Sequence, residues 1–171
     1  MLPSVVAEIN TPEEVRKWLD TVLTYKYDEE LYKRDGFWAS CGLTYLNKAG
    51  DCEDYAICAA ALLQGDVEKG YIVILSDRIA SEEDGAHAVF AYHLNQKWGI
   101  ISNHTGEFGE FRQPIFNTLH EALVSINFTR DQPRGRFRSY TIRDYSGVDL
   151  VNGNDNLISK IKEIEEGSFF P

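Results

Sequence analysis

The chain has 171 residues, 43% of them hydrophobic and 12% aromatic, which suits one soluble globular domain with a substantial core. A net charge of −10 and a pI near 4.8 argue against nucleic acid and against an anionic membrane as partners, because like charges repel. A basic or neutral substrate fits that charge better than an acidic one. No apolar run approaches bilayer length, and Met1-Leu2-Pro3-Ser4 lacks a basic start with a hydrophobic stretch behind it, so the chain as given is expected to be cytoplasmic. Three cysteines, an odd number at no metal-like spacing, suit a reducing compartment. Nothing in the sequence fixes the oligomeric state.

In chain order, Thr11-Pro12-Glu13-Glu14 predicts a helix start, with Thr11 as N-cap, Pro12 in the first turn and acids at the positive end of the dipole. Val15, Trp18, Leu19, Val22 and Leu23 follow at helical spacing and read as core. Gly50-Asp51-Cys52-Glu53-Asp54-Tyr55-Ala56, followed by Ile57 to Leu63, predicts a loop that delivers Cys52 to the start of a helix. Tyr71-Ile72-Val73-Ile74-Leu75 is apolar on both faces and predicts a central strand; the acidic Ser81 to Gly85 predicts an exposed loop.

Ala86 to Leu94 is β-branched and aromatic and predicts a strand with His87 near its start. Asn95-Gln96-Lys97 then reads as a turn and Trp98 to Ser102 as the returning strand, which sets His87 opposite Ser102-Asn103-His104. His93 is expected to be structural, and His120 to lie exposed on a helix from Thr118 to Ile126, within a tail whose helical signal begins near Pro114. Arg130, Arg134, Arg136, Arg138 and Arg143 read as a solvated strand edge, with the strand itself at Ser139 to Arg143. Asp149 to Asp155 has some character of a calcium loop but lacks the closing glutamate, and reads as a turn before a helix from about Asp155 to Glu166.

Chemistry concentrates at Cys52. Unpaired N–H groups and the dipole at a helix start favour thiolate over thiol, whereas the flanking acids raise the thiol pKa unless a histidine or cation outweighs them. Cys58, inside the apolar helix face, reads as core. A nucleophilic thiol needs an imidazole, and the imidazole needs a third group to fix its tautomer. His87 is the candidate base, and Asn103 or Ser102 can accept its N–H.

The run Gly50 to Ala56, the upstream Phe37-Trp38-Ala39-Ser40, the strand His87-Ala88-Val89 and the strand ending Ile101-Ser102-Asn103 resemble the transglutaminase-like cysteine peptidases of bacteria. The resemblance spans about residues 12 to 145 and implies an α+β, papain-like fold in which the helix bearing the nucleophile packs on an antiparallel sheet. One domain over residues 1 to 171 is expected, with 146 to 171 as an extension. The resemblance gives Cys52 as nucleophile, His87 as base and an acyl-thioenzyme intermediate. It departs at the third position, where Ser102 stands in place of an aspartate and Asn103 is the substitute. Related peptidases bind calcium through acids beside the nucleophile; Asp51, Glu53 and Asp54 hold comparable places, so no cofactor is required but calcium is a candidate. Trp38 is the resemblance-based oxyanion donor, beside the Cys52 amide, with Tyr45 and Tyr55 as further aromatic candidates. Hydrolysis, transamidation and a catalytically silent binding module remain open as readings of such a site.

Overall fold

The computed structural model describes residues 9–34, 36–76, 86–103 and 111–126, together with the backbone of 139–143 and 149–153. The predicted acidic loop at Ser81 to Gly85, His104, Arg130 to Arg138 and the helix from Asp155 lie outside the described residues.

The first helix, α1 (Pro12–Val22), begins where the sequence places it. The Thr11 hydroxyl accepts from the Glu14 amide, and the Glu14 carboxylate accepts back from the Thr11 amide at 3.1 Å, a reciprocal capping box. Two short strands, β1 (Thr24–Tyr25) and β2 (Ala49–Gly50), pair in parallel, Tyr25 opposite Gly50. Between them lie α2 (Asp28–Tyr32) and α3 (Cys41–Asn47), the latter capped by Ser40. The helix α4 (Cys52–Leu62) follows directly, and its apolar residues surround it on every side, as a helix buried between layers requires.

A six-stranded antiparallel sheet forms the second layer. It comprises β3 (Lys69–Ser76), β4 (Ala86–Leu94), β5 (Lys97–Ile101), β6 (Phe111–Phe116), β7 (Ser139–Arg143) and β8 (Asp149–Gly153), in the order β6-β5-β4-β3-β7-β8. Its two inner strands are apolar on both faces because both faces are covered. Ile72, Ala88, Phe90, Tyr92 and Ile101 pack with α1 and α4 on one side. Tyr71, Val73, Leu75, Val89, Ala91 and Ile100 pack with α5 (Leu119–Val124) on the other. The helix bearing Cys52 thus packs on an antiparallel sheet, and β3 is central, as the sequence predicts.

The hairpin of β4 and β5 closes through Asn95 and Gln96, whose φ values of 53° and 62° are those of a two-residue turn matched to strand twist. Its register pairs Leu94 with Lys97 and Phe90 with Ile101. Tyr92 lies across Gly99, where an added Cβ would come within 2.4 Å of the ring, and its hydroxyl donates to the Arg112 carbonyl at 3.0 Å. His93 is structural, pairing with Glu68 at 2.6 Å beside Trp98.

Two sequence expectations are corrected. Pro114 does not open a helix: it lies in β6, at the sheet edge, where a residue without an N–H is tolerated, and α5 begins after a capping box formed by Thr118 and Glu121. Residues 149–153 are not a turn but the strand β8, which pairs with β7 across an irregularity between Ile142 and Arg143. The Asn152-Gly153-Asn154 signal for a turn is outweighed by ladder pairing that only a neighbouring strand can supply.

Candidate active site

The turn that presents Cys52 is built from close approaches. Tyr25 pairs with Gly50, and the Lys26 amide donates to the Gly50 carbonyl at 3.0 Å, anchoring the residue two before the thiol. Gly50 has to be glycine because a Cβ there would lie 2.6 Å from both Cβ and Oδ2 of Asp54. Asp54 sits one turn into α4, completely buried, and its Oδ1 accepts from the Ala39 amide at 2.9 Å. Burial pushes its carboxyl up to about 7, against the lowering effect of that amide.

Asp28 works from the other side. It is 1% exposed at the start of α2, and its Oδ2 accepts from the Phe37 amide. Asp28 and Asp54 therefore hold the backbone on either side of Trp38, which packs partly buried against the same helix cluster as Cys52.

Cys52 opens α4 and is partly buried, whereas Cys41 and Cys58 are fully buried. Its thiol donates to Glu53 Oε2 at 3.2 Å. Burial, then the Glu53 charge, pushes the thiol pKa well above its ordinary value, and an N–H of Ala88 directed at the sulfur works the other way. Ala88 follows His87 in β4, in the part of that strand beyond the last β5 pair at Phe90 and Ile101. The nucleophile helix thus meets the sheet where the β5 ladder stops.

At the same place His87, Ser102 and Asn103 are buried together, each about 3% exposed. His87 Nε2 lies 2.8 Å from Ser102 Oγ, and Ser102 Oγ donates to Asn103 Oδ1 at 3.3 Å. A serine has one proton, and here it is used on Asn103. Ser102 Oγ can then accept from His87 Nε2, in the tautomer whose lone pair is on Nδ1. The hairpin register makes this diagonal contact possible, since Phe90 opposite Ile101 sets His87 within reach of Ser102. Tyr45, by contrast, stacks on Trp18, and Tyr55 is buried in the helix core.

The acids beside the thiol are arranged differently from the sequence expectation. Asp28, Asp51 and Glu53 bring one oxygen each within 4.8 Å of the others, while Asp54 is turned to Ala39. Asp51 Oδ1 is buried with no hydrogen-bond partner among the described residues. Burial, and next the Glu53 charge, pushes the Asp51 carboxyl up to about 9. Three convergent carboxylates with an orphaned buried oxygen are the donor set of a hard divalent cation such as calcium. Asp28 was missed in the sequence because nothing local separates it from Glu29 and Glu30.

A model of the transglutaminase-like domain matches residues 4–122. No curated protein matches the sequence. Among solved structures the chain is similar to LapG of Legionella pneumophila, at 14% identity and TM-score 0.48, covering 96% of this chain and 83% of that one. The calcium-bound form of LapG gives 14% identity and TM-score 0.48 over 96% and 86%, and the EGTA-treated form 14% and 0.44 over 96% and 84%. With the family match extending over most of its length, the chain belongs to the transglutaminase-like domain family.

Proposed function

We propose that this chain is a cysteine hydrolase that cleaves amide bonds in a protein or peptide, with Cys52 as nucleophile and His87 as base. The observation that carries the reading is the hydrogen-bonded run from His87 Nε2 through Ser102 Oγ to Asn103 Oδ1, which in that tautomer leaves the imidazole lone pair on the other ring nitrogen. His87 Nδ1 takes the Cys52 proton, and the sulfur attacks the amide carbonyl. The tetrahedral oxyanion receives the Cys52 backbone N–H and the Trp38 indole N–H. His87 then gives its proton to the leaving amine, and water hydrolyses the acyl-thioenzyme. An amine in place of that water would make the same site a transamidase, since both routes share the thioester.

Ser102 accepts a hydrogen bond but brings no charge to balance the imidazolium, so His87 alone supports the thiolate weakly. Asp28, Asp51 and Glu53 would hold calcium, which supplies positive charge beside the thiol and cancels the acids that oppose its ionisation. With Glu53 so engaged, Cys52 loses the acceptor that favours its protonated form.

The neutral Ser102 and the thiol bonded to Glu53 favour a second reading, a silent binding module. The rate of Cys52 alkylation by iodoacetamide against pH, in wild type and His87→Ala, with calcium and with EDTA, separates the two. A fast rate with an apparent pKa well below 8.5 that depends on His87 supports the hydrolase. A slow rate titrating like a free thiol and unmoved by His87→Ala overturns it.

The acids also predict how stability responds to pH. Asp51 and Asp54 rise from 3.8 to about 9 and about 7 in the folded chain, so the native state holds protons that the unfolded chain releases. In EDTA, stability is therefore greatest near pH 4 as far as these two groups act, and falls as pH rises through 7 and toward 9. Calcium at a hundred times its dissociation constant at pH 7 should add about 2.7 kcal/mol there, and the same calcium concentration should add more at alkaline pH because binding must displace the Asp51 proton. Thermal melts at pH 5, 7 and 9 test this. A melting temperature in EDTA that climbs over that range, or no response to calcium, would contradict it.

A further inference from the structure

We propose that the phenol of Tyr25 is a further catalytic group, donating a hydrogen bond to the oxyanion that forms when Cys52 attacks an acyl carbon. The inference deepens the hydrolase reading and rests on it. Tyr25 is held beside the nucleophile by backbone pairing: it lies opposite Gly50 in the β1–β2 ladder, and the next residue, Lys26, donates its amide to the Gly50 carbonyl at 3.0 Å. Its ring sits between two others, 6.4 Å from Tyr55 on the first turn of α4 and 5.4 Å, edge to face, from Tyr27. Tyr55 is buried and Tyr27 is 62% exposed, so Tyr25 stands at the step between core and solvent. It packs against the same cluster as Trp38 and Cys52.

The hydroxyl of Tyr25 makes no hydrogen bond among the described residues, so its proton is available to a substrate. The charges that act on it are those of the site. After burial, the Cys52 thiolate and then Asp51 raise its pKa, which keeps the phenol protonated wherever the thiol works. A half-buried donor that stays neutral beside an anionic nucleophile has what an oxyanion donor needs, since it presents a dipole before charge develops. Trp38 is carried by the loop held by Asp28 and Asp54 and Tyr25 by β1, so the two candidate donors belong to different elements packed against the cluster that also receives Cys52.

The test compares two reactions of the same sulfur on the full chain. Acylation by p-nitrophenyl acetate passes through a tetrahedral oxyanion: sulfur bonds to the acetyl carbon and p-nitrophenolate leaves, read as a burst at 400 nm or so. Alkylation by iodoacetamide displaces iodide with no oxyanion. In Tyr25→Phe, acylation should slow by about 10²–10³-fold while alkylation is unchanged, because only the first reaction uses the donor. Phenylalanine keeps the ring between Tyr27 and Tyr55, and peptide mapping confirms that Cys41 and Cys58 stay unlabelled. Tyr27→Phe should alter neither rate. Acylation within twofold of wild type in Tyr25→Phe would overturn the inference, as would equal loss in both reactions, which would mean that the phenol acts on the thiolate instead. Failure of the hydrolase reading shows separately, as alkylation that ignores His87→Ala.

Discussion

His87→Ala should lower amide turnover by about 10²–10⁴-fold, the range that a positioned general base contributes, while the chain stays folded. The imidazole is buried at the N-terminal end of β4, away from the β4–β5 turn, where its removal leaves Ser102 still bonded to Asn103. The loss should appear in kcat, because His87 moves a proton in the transition state and does not hold the substrate. Ser102→Ala should lose less, since it removes the acceptor that selects the tautomer and leaves the base itself. Ser102→Asp should exceed wild type at neutral pH if the carboxylate takes up the same 2.8 Å contact, because it adds the charge that steadies an imidazolium. Steady-state kinetics on a casein or reporter-peptide substrate, after the alkylation profile has shown a reactive thiol, measure all three. Equal activity in wild type and His87→Ala would remove His87 from the mechanism.

Gly50→Ala should have the largest effect on stability. The new Cβ would meet Asp54 at 2.6 Å, and Asp54 has no room to withdraw without giving up the Ala39 amide. Overpacking of this kind costs about 1–3 kcal/mol, or roughly 3–10 °C in melting temperature for a chain of this size. Activity should fall further than stability, because relief of the clash moves the segment that carries Cys52 and the loop that carries Trp38. Gly50→Ala combined with Asp54→Ala should recover part of the stability, as the two sites share one contact. A variant as stable as wild type would mean that the turn and the helix can separate without strain.

What the sequence revealed of this fold follows the range of the forces involved. The N-cap at Thr11 was legible because its partner Glu14 lies three residues on, whereas the equal pairing of Thr118 with Glu121 was obscured by a helical signal that begins near Pro114. The hairpin from Ala86 to Ile101 was legible as two apolar runs about a turn, but the turn is the two residues Asn95 and Gln96 with Lys97 already in β5, and the register that brings Ser102 to His87 was fixed only by the structure. Cys52 stood out for its position between a glycine and a helix. Asp28 did not, because an acid followed by two more acids reads as a solvated helix start; it is buried only by the return of residues 37–39 across it. The split of the acids into Asp51 and Glu53 on one side and Asp54 on the other depends on where Ala39 lies, which no nearby residue announces. Likewise β8 exists because β7 offers it an edge.

The two acids that grip the loop on either side of Trp38 also couple parts of the molecule that sequence keeps apart. Residues 37–39 have no strand or helix of their own; Asp28 from α2 and Asp54 from α4 hold them. The loop cannot lift away alone, because doing so would expose two buried carboxylates at once and loosen the start of the nucleophile helix. Opening beside the nucleophile helix must therefore be a single cooperative event that takes α2, the tryptophan loop and the first turn of α4 together, and the amides of Phe37 and Ala39 should share one opening free energy although neither belongs to regular structure.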